Sequence, residues 1–86
     1  MHYFYILKSK HDHKLYLGFT GDLRKRFAEH QRGLVQSTKP RRPFTLAYYE
    51  AYGDQDDAAR REKQMKRNGK AWGQLKRRIR SSIVRA

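Results

Sequence analysis

Two short runs of large apolar residues open the chain, Tyr3-Phe4-Tyr5-Ile6-Leu7 and Leu15-Tyr16-Leu17-Gly18-Phe19. Both are rich in the β-branched, aromatic and aliphatic side chains that fill a pleated surface. The stretch from Ser9 to Lys14 between them is polar and charged, so the pair predicts an antiparallel hairpin. Side chains alternate faces along a strand. With an even number of residues in the loop, Tyr5 and Tyr16 project from one face as direct or diagonal neighbours.

Beyond the hairpin the apolar spacing becomes helical. Thr20 or Asp22 is placed to cap a helix running to about Arg32, where Gly33 stops it. Leu23, Phe27 and Leu34 supply its apolar side, Arg26 and His30 border that stripe, and Arg24, Lys25 and Arg32 face solvent. Gln36 to Pro43 reads as a loop stiffened by Pro40 and Pro43. Its hydroxyls and cations, Lys39, Arg41 and Arg42 among them, suit contact with the backbone of a nucleic acid. A third strand is predicted from Phe44 to about Ala51.

A largely polar helix then begins near Asp54, with Asp56 and Asp57 favouring its N-terminal end and Lys66 and Arg67 its C-terminal end. Its one inward line is Ala58, Glu62 and Met65. A carboxylate on that line needs a partner, either a cation such as Arg61 or Lys66, or a metal. A last helix from about Lys70 or Ala71 carries Trp72, Leu75, Ile79 and Ile83 at helical spacing, which favours Trp72 as a core residue over a base-stacking one. Together the elements predict an α/β fold, a small, mainly antiparallel three-stranded sheet flanked by three helices.

Length and charge narrow the classes. The 86 residues allow one domain, residues 1–86, with one modest core. The absence of cysteine excludes a disulfide, a thiolate nucleophile and a cysteine-based zinc site. No apolar run is long enough for a membrane span, and Lys8 and Lys10 follow the first one too soon for a secretory signal, so a soluble cytoplasmic protein is expected. The formal net charge of +13 produces a positive potential that attracts polyanions and is weakened by salt, with nucleic acid as the expected partner. The basic residues are spread through the chain instead of lining one face of a strongly apolar helix, which argues against a membrane surface. His11-Asp12-His13 reads as a turn, because a transition-metal site needs more donors than this cluster offers.

In order and spacing these residues resemble a known family. Tyr5, followed eleven positions later by Tyr16-Leu17-Gly18, is similar to the paired tripeptides that name the GIY-YIG nucleases. Arg26 falls ten positions after Tyr16, His30 four after that, and Glu62 well beyond, about where the family carries its helix arginine, its His or Tyr, and its metal-binding glutamate. The resemblance covers nearly the whole chain and is nearest to the short stand-alone bacterial branch. Two positions depart from it: Tyr3-Phe4-Tyr5 lacks the family's glycine, and Phe19 stands where the excision-repair branch has a lysine.

The resemblance implies a metal-dependent endonuclease that hydrolyses phosphodiester bonds in DNA or structured nucleic acid, in DNA repair or recombination. That reaction needs an activated water, charge stabilisation at phosphorus and help for the departing alkoxide. By the same resemblance Tyr16 is the general base, its phenol made more acidic by nearby cations, and Tyr5 orients the water or a phosphate oxygen. Arg26 pairs with non-bridging oxygens, His30 holds Tyr16 or a phosphate, and Glu62 ligates one Mg²⁺ or Mn²⁺. Two other readings stay open at this level. One is a nucleic-acid-binding module that keeps the fold and charge with little or no turnover, favoured by the two departures and by the lack of a sequence-reading domain in this chain. The other is an RNA-associated structural protein.

Overall fold

A computed structural model describes all residues from 1 to 86. The middle of the sheet is β1 (His2–Ser9), flanked by β2 (Leu15–Thr20) and β3 (Phe44–Tyr52), both antiparallel to it. As the middle strand, β1 is covered on both faces, which is why Phe4, Tyr5, Ile6 and Leu7 are all buried and show no alternation of polar and apolar residues. Phe4 and Ile6 pack on one face with Met65, Leu75 and Ile79, while Tyr5 and Leu7 pack on the other with Phe44, Leu23 and Phe27. Helix α1 (Leu23–Arg32) therefore covers one face, and α2 (Gln55–Arg67) and α3 (Gly69–Arg78) cover the other. The hairpin register pairs Leu7 with Tyr16 and Tyr5 with Gly18, so Tyr5 and Tyr16 are diagonal neighbours on the α1 face.

The sheet with its helices is the predicted α/β arrangement, but the chain has four helices instead of three. The expected last helix breaks at Ile79, whose φ of −109° and ψ of 25° lie outside the helical region, and α4 (Arg80–Arg85) continues beyond it. The change of direction keeps Ile79 buried and Ile83 packed against the same core, and the Lys8 ammonium donates to the Ile83 carbonyl at 3.1 Å. Apolar spacing passes through such a bend unchanged, so periodicity alone reads one helix.

Local chemistry explains the other boundaries. The Asp22 side chain accepts from the Lys25 N–H at 3.0 Å and starts α1, and Gly33, with φ of 76°, ends it in the left-handed conformation that glycine adopts without strain. Ser9, expected in the hairpin connector, is instead the buried last residue of β1. Its hydroxyl accepts from the N–H groups of His11 and Asp12 at 3.0 and 3.1 Å and donates to the Arg41 carbonyl, shaping the turn.

Strand β3 departs from regular geometry and carries a polar cluster. Ile6 pairs with Tyr48 but Leu7 pairs with Leu46, so Ala47 is an extra residue, a β-bulge. The bulge lets Leu46 and Tyr49 share the face of Leu7 and Tyr5 although they are an odd number of residues apart. On the opposite face the Glu50 carboxylate accepts four hydrogen bonds, from the hydroxyls of Tyr48 and Tyr52 at 2.7 and 2.5 Å and from Arg61 Nε and Nη2 at 2.9 and 3.1 Å. This bidentate ion pair ties α2 to the sheet.

Candidate active site

The end of α1 is fastened to the start of β3 by one side chain. The Gln31 amide donates to the Phe44 carbonyl at 2.9 Å and accepts from the Phe44 N–H at 2.7 Å. His30, the preceding residue, is thereby held fully buried among three rings, with centroids 5.1 Å from Tyr16, 5.8 Å from Phe44 and 5.9 Å from Tyr5, all edge-to-face.

Both imidazole nitrogens are engaged. Nδ1 lies 2.8 Å from the buried Thr38 hydroxyl and Nε2 lies 2.9 Å from the Tyr5 hydroxyl. The network assigns the tautomer: Thr38 gives its one proton to the Val35 carbonyl at 3.3 Å, so it accepts from Nδ1–H, and Nε2 accepts from the Tyr5 phenol. Burial and the nearby Arg26 cation pull the His30 pKa down to about 4, which keeps the ring neutral at physiological pH and Nε2 free to accept.

Tyr5 is correspondingly a firm donor. Burial pushes its pKa up to about 12, against the pull of the adjacent Arg26 guanidinium and helped by Tyr16 and by the Glu62 carboxylate. The phenol crosses directly over Gly18: a Cβ there would lie 2.5 Å from the Tyr5 oxygen. The glycine of the second tripeptide thus makes room for the tyrosine of the first. Arg26 stands at the edge of this cluster, ion-paired to Glu29 one turn on at 3.1 Å, with its side chain 37% exposed. Glu62 lies on the sheet-facing line of α2 between buried Ala58 and Met65. It is thus carried by the helix that covers the face opposite α1, and it is the smallest of the influences that raise the Tyr5 phenol.

The family model of the GIY-YIG catalytic domain matches residues 1–80. The chain belongs to the GIY-YIG family. Several bacterial relatives are similar to it. UPF0213 protein SH2523 of Staphylococcus haemolyticus is 42% identical over 66 residues, which are 76% of this chain and 79% of the relative. UPF0213 protein CPE1444 of Clostridium perfringens is 40% identical over 74 residues, 81% of this chain and 78% of the relative. These names state no activity. No solved structure matches the chain. Membership of the GIY-YIG family implies nuclease-type chemistry and a nucleic-acid substrate. No helix is long and apolar enough to cross a membrane.

Of the residues singled out from the sequence, Tyr5, Tyr16, Arg26 and His30 gather on the α1 face of the sheet. His30 holds the hydroxyl of Tyr5, whereas the family resemblance implies Tyr16 or a phosphate. The inward carboxylate of Glu62 finds a cation in Lys66, at 3.2 Å on the same helix, and Arg61 is committed to Glu50. Among the loop cations, Arg41 is drawn into an ion pair with Asp12 at 2.8 Å and onto the Phe44 ring, while Lys39 and Arg42 are exposed. Three residues escape sequence reasoning: Gly18 as the space for Tyr5, Glu50 as the anchor of α2, and Thr38, which sits in the loop expected to contact phosphate and instead orients His30.

A divalent ion is testable against this donor set. No group of three or more His, Cys, Asp or Glu side chains is arranged as a protein cage. Glu62 spends one oxygen on Lys66, whose side chain is half exposed and easily displaced, and its other oxygen has no protein partner. One available carboxylate is a donor set that fits Mg²⁺ or Mn²⁺, which complete their shells with water and substrate oxygens.

Proposed function

We propose that this GIY-YIG protein is an endonuclease dependent on one Mg²⁺ or Mn²⁺, hydrolysing phosphodiester bonds in DNA or structured nucleic acid in DNA repair or recombination. Residues 1–86 form its one domain, working in the cytoplasm. The observation that carries the reading is the cluster of Tyr5, Tyr16, Arg26 and His30 around a neutral imidazole, with a partly exposed cation at its rim.

Each side chain has a separable task. Tyr16, whose ring rests against His30 while its hydroxyl has no protein hydrogen bond, first releases its own proton to solvent, and the phenolate oxygen then takes a proton from the attacking water as the water oxygen bonds to phosphorus. Tyr5 is unsuited to that role because its proton is held and its hydroxyl is already donating to His30, so its oxygen accepts from the attacking water and positions it. Arg26 exchanges Glu29 for the non-bridging oxygens of the phosphate, bonds that strengthen as negative charge builds. Glu62 holds the divalent ion, which when bound supplies charge neutralisation at phosphorus and the leaving oxygen. Lys39, Arg41 and Arg42 extend the phosphate contacts, with Arg41 acting chiefly through its grip on the turn at Asp12.

One observation favours the second reading, a binding module with little turnover: Arg26 and Glu62 are both ion-paired within their own helices. The deciding experiment incubates the purified protein with supercoiled, single-stranded and branched DNA in Mg²⁺, in Mn²⁺ or in chelator. Metal-dependent cleavage is expected. Tight binding with no cleavage in any metal selects the binding module.

A further inference from the structure

A groove of about 610 Å³ opens on the α1 face of the sheet beside the candidate site. Its floor is the edge-to-face pair of Tyr3 and Tyr49, with ring centroids 5.9 Å apart, and Leu23 and Phe27 of α1 line it with Leu46. Tyr49 is 52% exposed, unusual for a large ring facing a helix. Tyr3 is also the residue that replaces the glycine of the first family tripeptide.

Charge and position identify the occupant. The groove neighbours the catalytic cluster: it shares Gly21 and Asp22 with the depression that holds Arg26, and Tyr3 and Tyr5 share one face two residues apart, so the groove floor begins about 7 Å from Tyr5. Arg24 lines it, and Lys25 and Arg26 follow on the same helix. The one carboxylate at its rim, Asp22, already accepts the Lys25 N–H as the cap of α1. An aromatic floor with Arg24 at its edge, and with Lys25 and Arg26 on the adjoining surface, matches a base attached to a phosphate on a chain of formal charge +13. A base inside a duplex has both faces covered by its neighbours and is unavailable to such a floor.

We propose that this groove binds one unpaired nucleobase next to the phosphate being cut, stacked on Tyr49 and Tyr3. The inference rests on the nuclease reading above and narrows its substrates to DNA with a single-stranded, frayed or bulged nucleotide at the cleavage point.

The test uses the whole chain with two DNAs of equal length in Ca²⁺, a fully paired duplex and the same duplex with one unpaired 2-aminopurine. Wild type should bind the second more tightly and quench its fluorescence. Tyr49→Ala should weaken that binding about 5- to 100-fold and abolish the quenching, with little change on the paired duplex, and Tyr49→Phe should restore both. Equal affinity of wild type for the two DNAs, or an unchanged Tyr49→Ala, overturns the groove proposal while leaving the nuclease reading intact. Failure to bind either DNA overturns both. A concentration-dependent dimer abolished by Tyr49→Ala, with no effect on 2-aminopurine, would make the groove a self-association face and also sink the proposal.

Discussion

On one face of the sheet, Glu50 gathers two tyrosine hydroxyls and a guanidinium around a carboxylate; on the other, His30 gathers a tyrosine and a threonine hydroxyl beside a guanidinium whose ion-pair partner, Glu29, comes from the same helix. Both clusters bury phenols whose pKa values rise to about 12, for Tyr48 and Tyr52 on one side and Tyr5 on the other. They differ in charge balance. Burial acts to raise the Glu50 carboxyl, but Arg61 and the two hydroxyls outweigh it and hold the pKa below its usual range, so cation and anion cancel with four hydrogen bonds made. At His30 the ring and the phenol are neutral, and the Arg26 charge is met only by a partly exposed carboxylate from its own helix. The saturated cluster is structure. The one whose cation is held only by a partly exposed partner on its own helix can exchange that partner for an anion.

That contrast can be broken by experiment, and the largest effect is expected in turnover. Tyr16→Phe and Glu62→Gln should each lower single-turnover cleavage by about 10²–10⁴-fold. Neither should move Tm appreciably, since the Tyr16 hydroxyl has no protein partner and the Glu62–Lys66 pair is a half-exposed helix pair. Unchanged cleavage in both would assign any activity to another site.

Glu50→Gln should do the reverse. It leaves Arg61 and two hydroxyls around a neutral group, costing about 2 kcal/mol. For a chain this size that is a fall in Tm of about 8–16 °C. Cleavage well below the new Tm should be nearly unaffected. A drop in cleavage as large as that of Glu62→Gln would mean that the two faces are one functional unit.

The pH dependence should separate the clusters again. The folded His30 pKa, about 4, lies below its ordinary 6.5, so the unfolded chain takes up the proton first and the stability from neutral burial is present above pH 6.5. It is lost as pH falls toward 4. Glu50, lowered from 4.5, contributes stability that is lost only below that value. Melting curves from pH 7 to 3 should therefore show the first decline in wild type and Glu50→Gln but not in His30→Gln.

The smallest effect concerns the loop after α1. Replacing Lys39 and Arg42 with alanine should reduce the slope of log affinity against log salt by roughly 2, about 0.9 per phosphate contact, without a change in Tm. Arg41→Ala should instead lower Tm slightly, because it frees Asp12, whose carboxyl the Arg41 guanidinium holds well below the usual range. A salt slope that responds equally to all three cations would remove this distinction.

Much of this architecture was legible in the sequence, for reasons that also mark the limit. The hairpin and helix α1 are local: alternation places Tyr5 beside Tyr16, and a cap, an apolar stripe and a glycine delimit Leu23–Arg32. The inward aim of Glu62 followed from its spacing with Ala58 and Met65. Illegible were the pairings between distant polar residues. Thr38 reaches His30 only because the loop folds back, Arg41 meets Asp12 across 29 positions, and Glu50 looks like an ordinary strand carboxylate until Arg61 arrives from the next helix. Periodicity reports which side of an element is buried, not which neighbour it meets there. For the same reason it misses the bend at Ile79, where the apolar side stays in phase.

The extra residue in β3 governs which inherited changes the strand tolerates. Tyr48 pairs with Ile6 and Leu46 with Leu7, so removing Ala47 would leave every other side chain opposite its present partner and forfeit only local twist. A bulky replacement would be worse, because Ala47 packs against the same core as Tyr48. A loss between Tyr48 and Tyr52 would be worse still, turning the remaining residues toward the wrong helix. At this one position a shorter chain is a milder variant than a larger side chain, so relatives that differ in length here can present the same two faces.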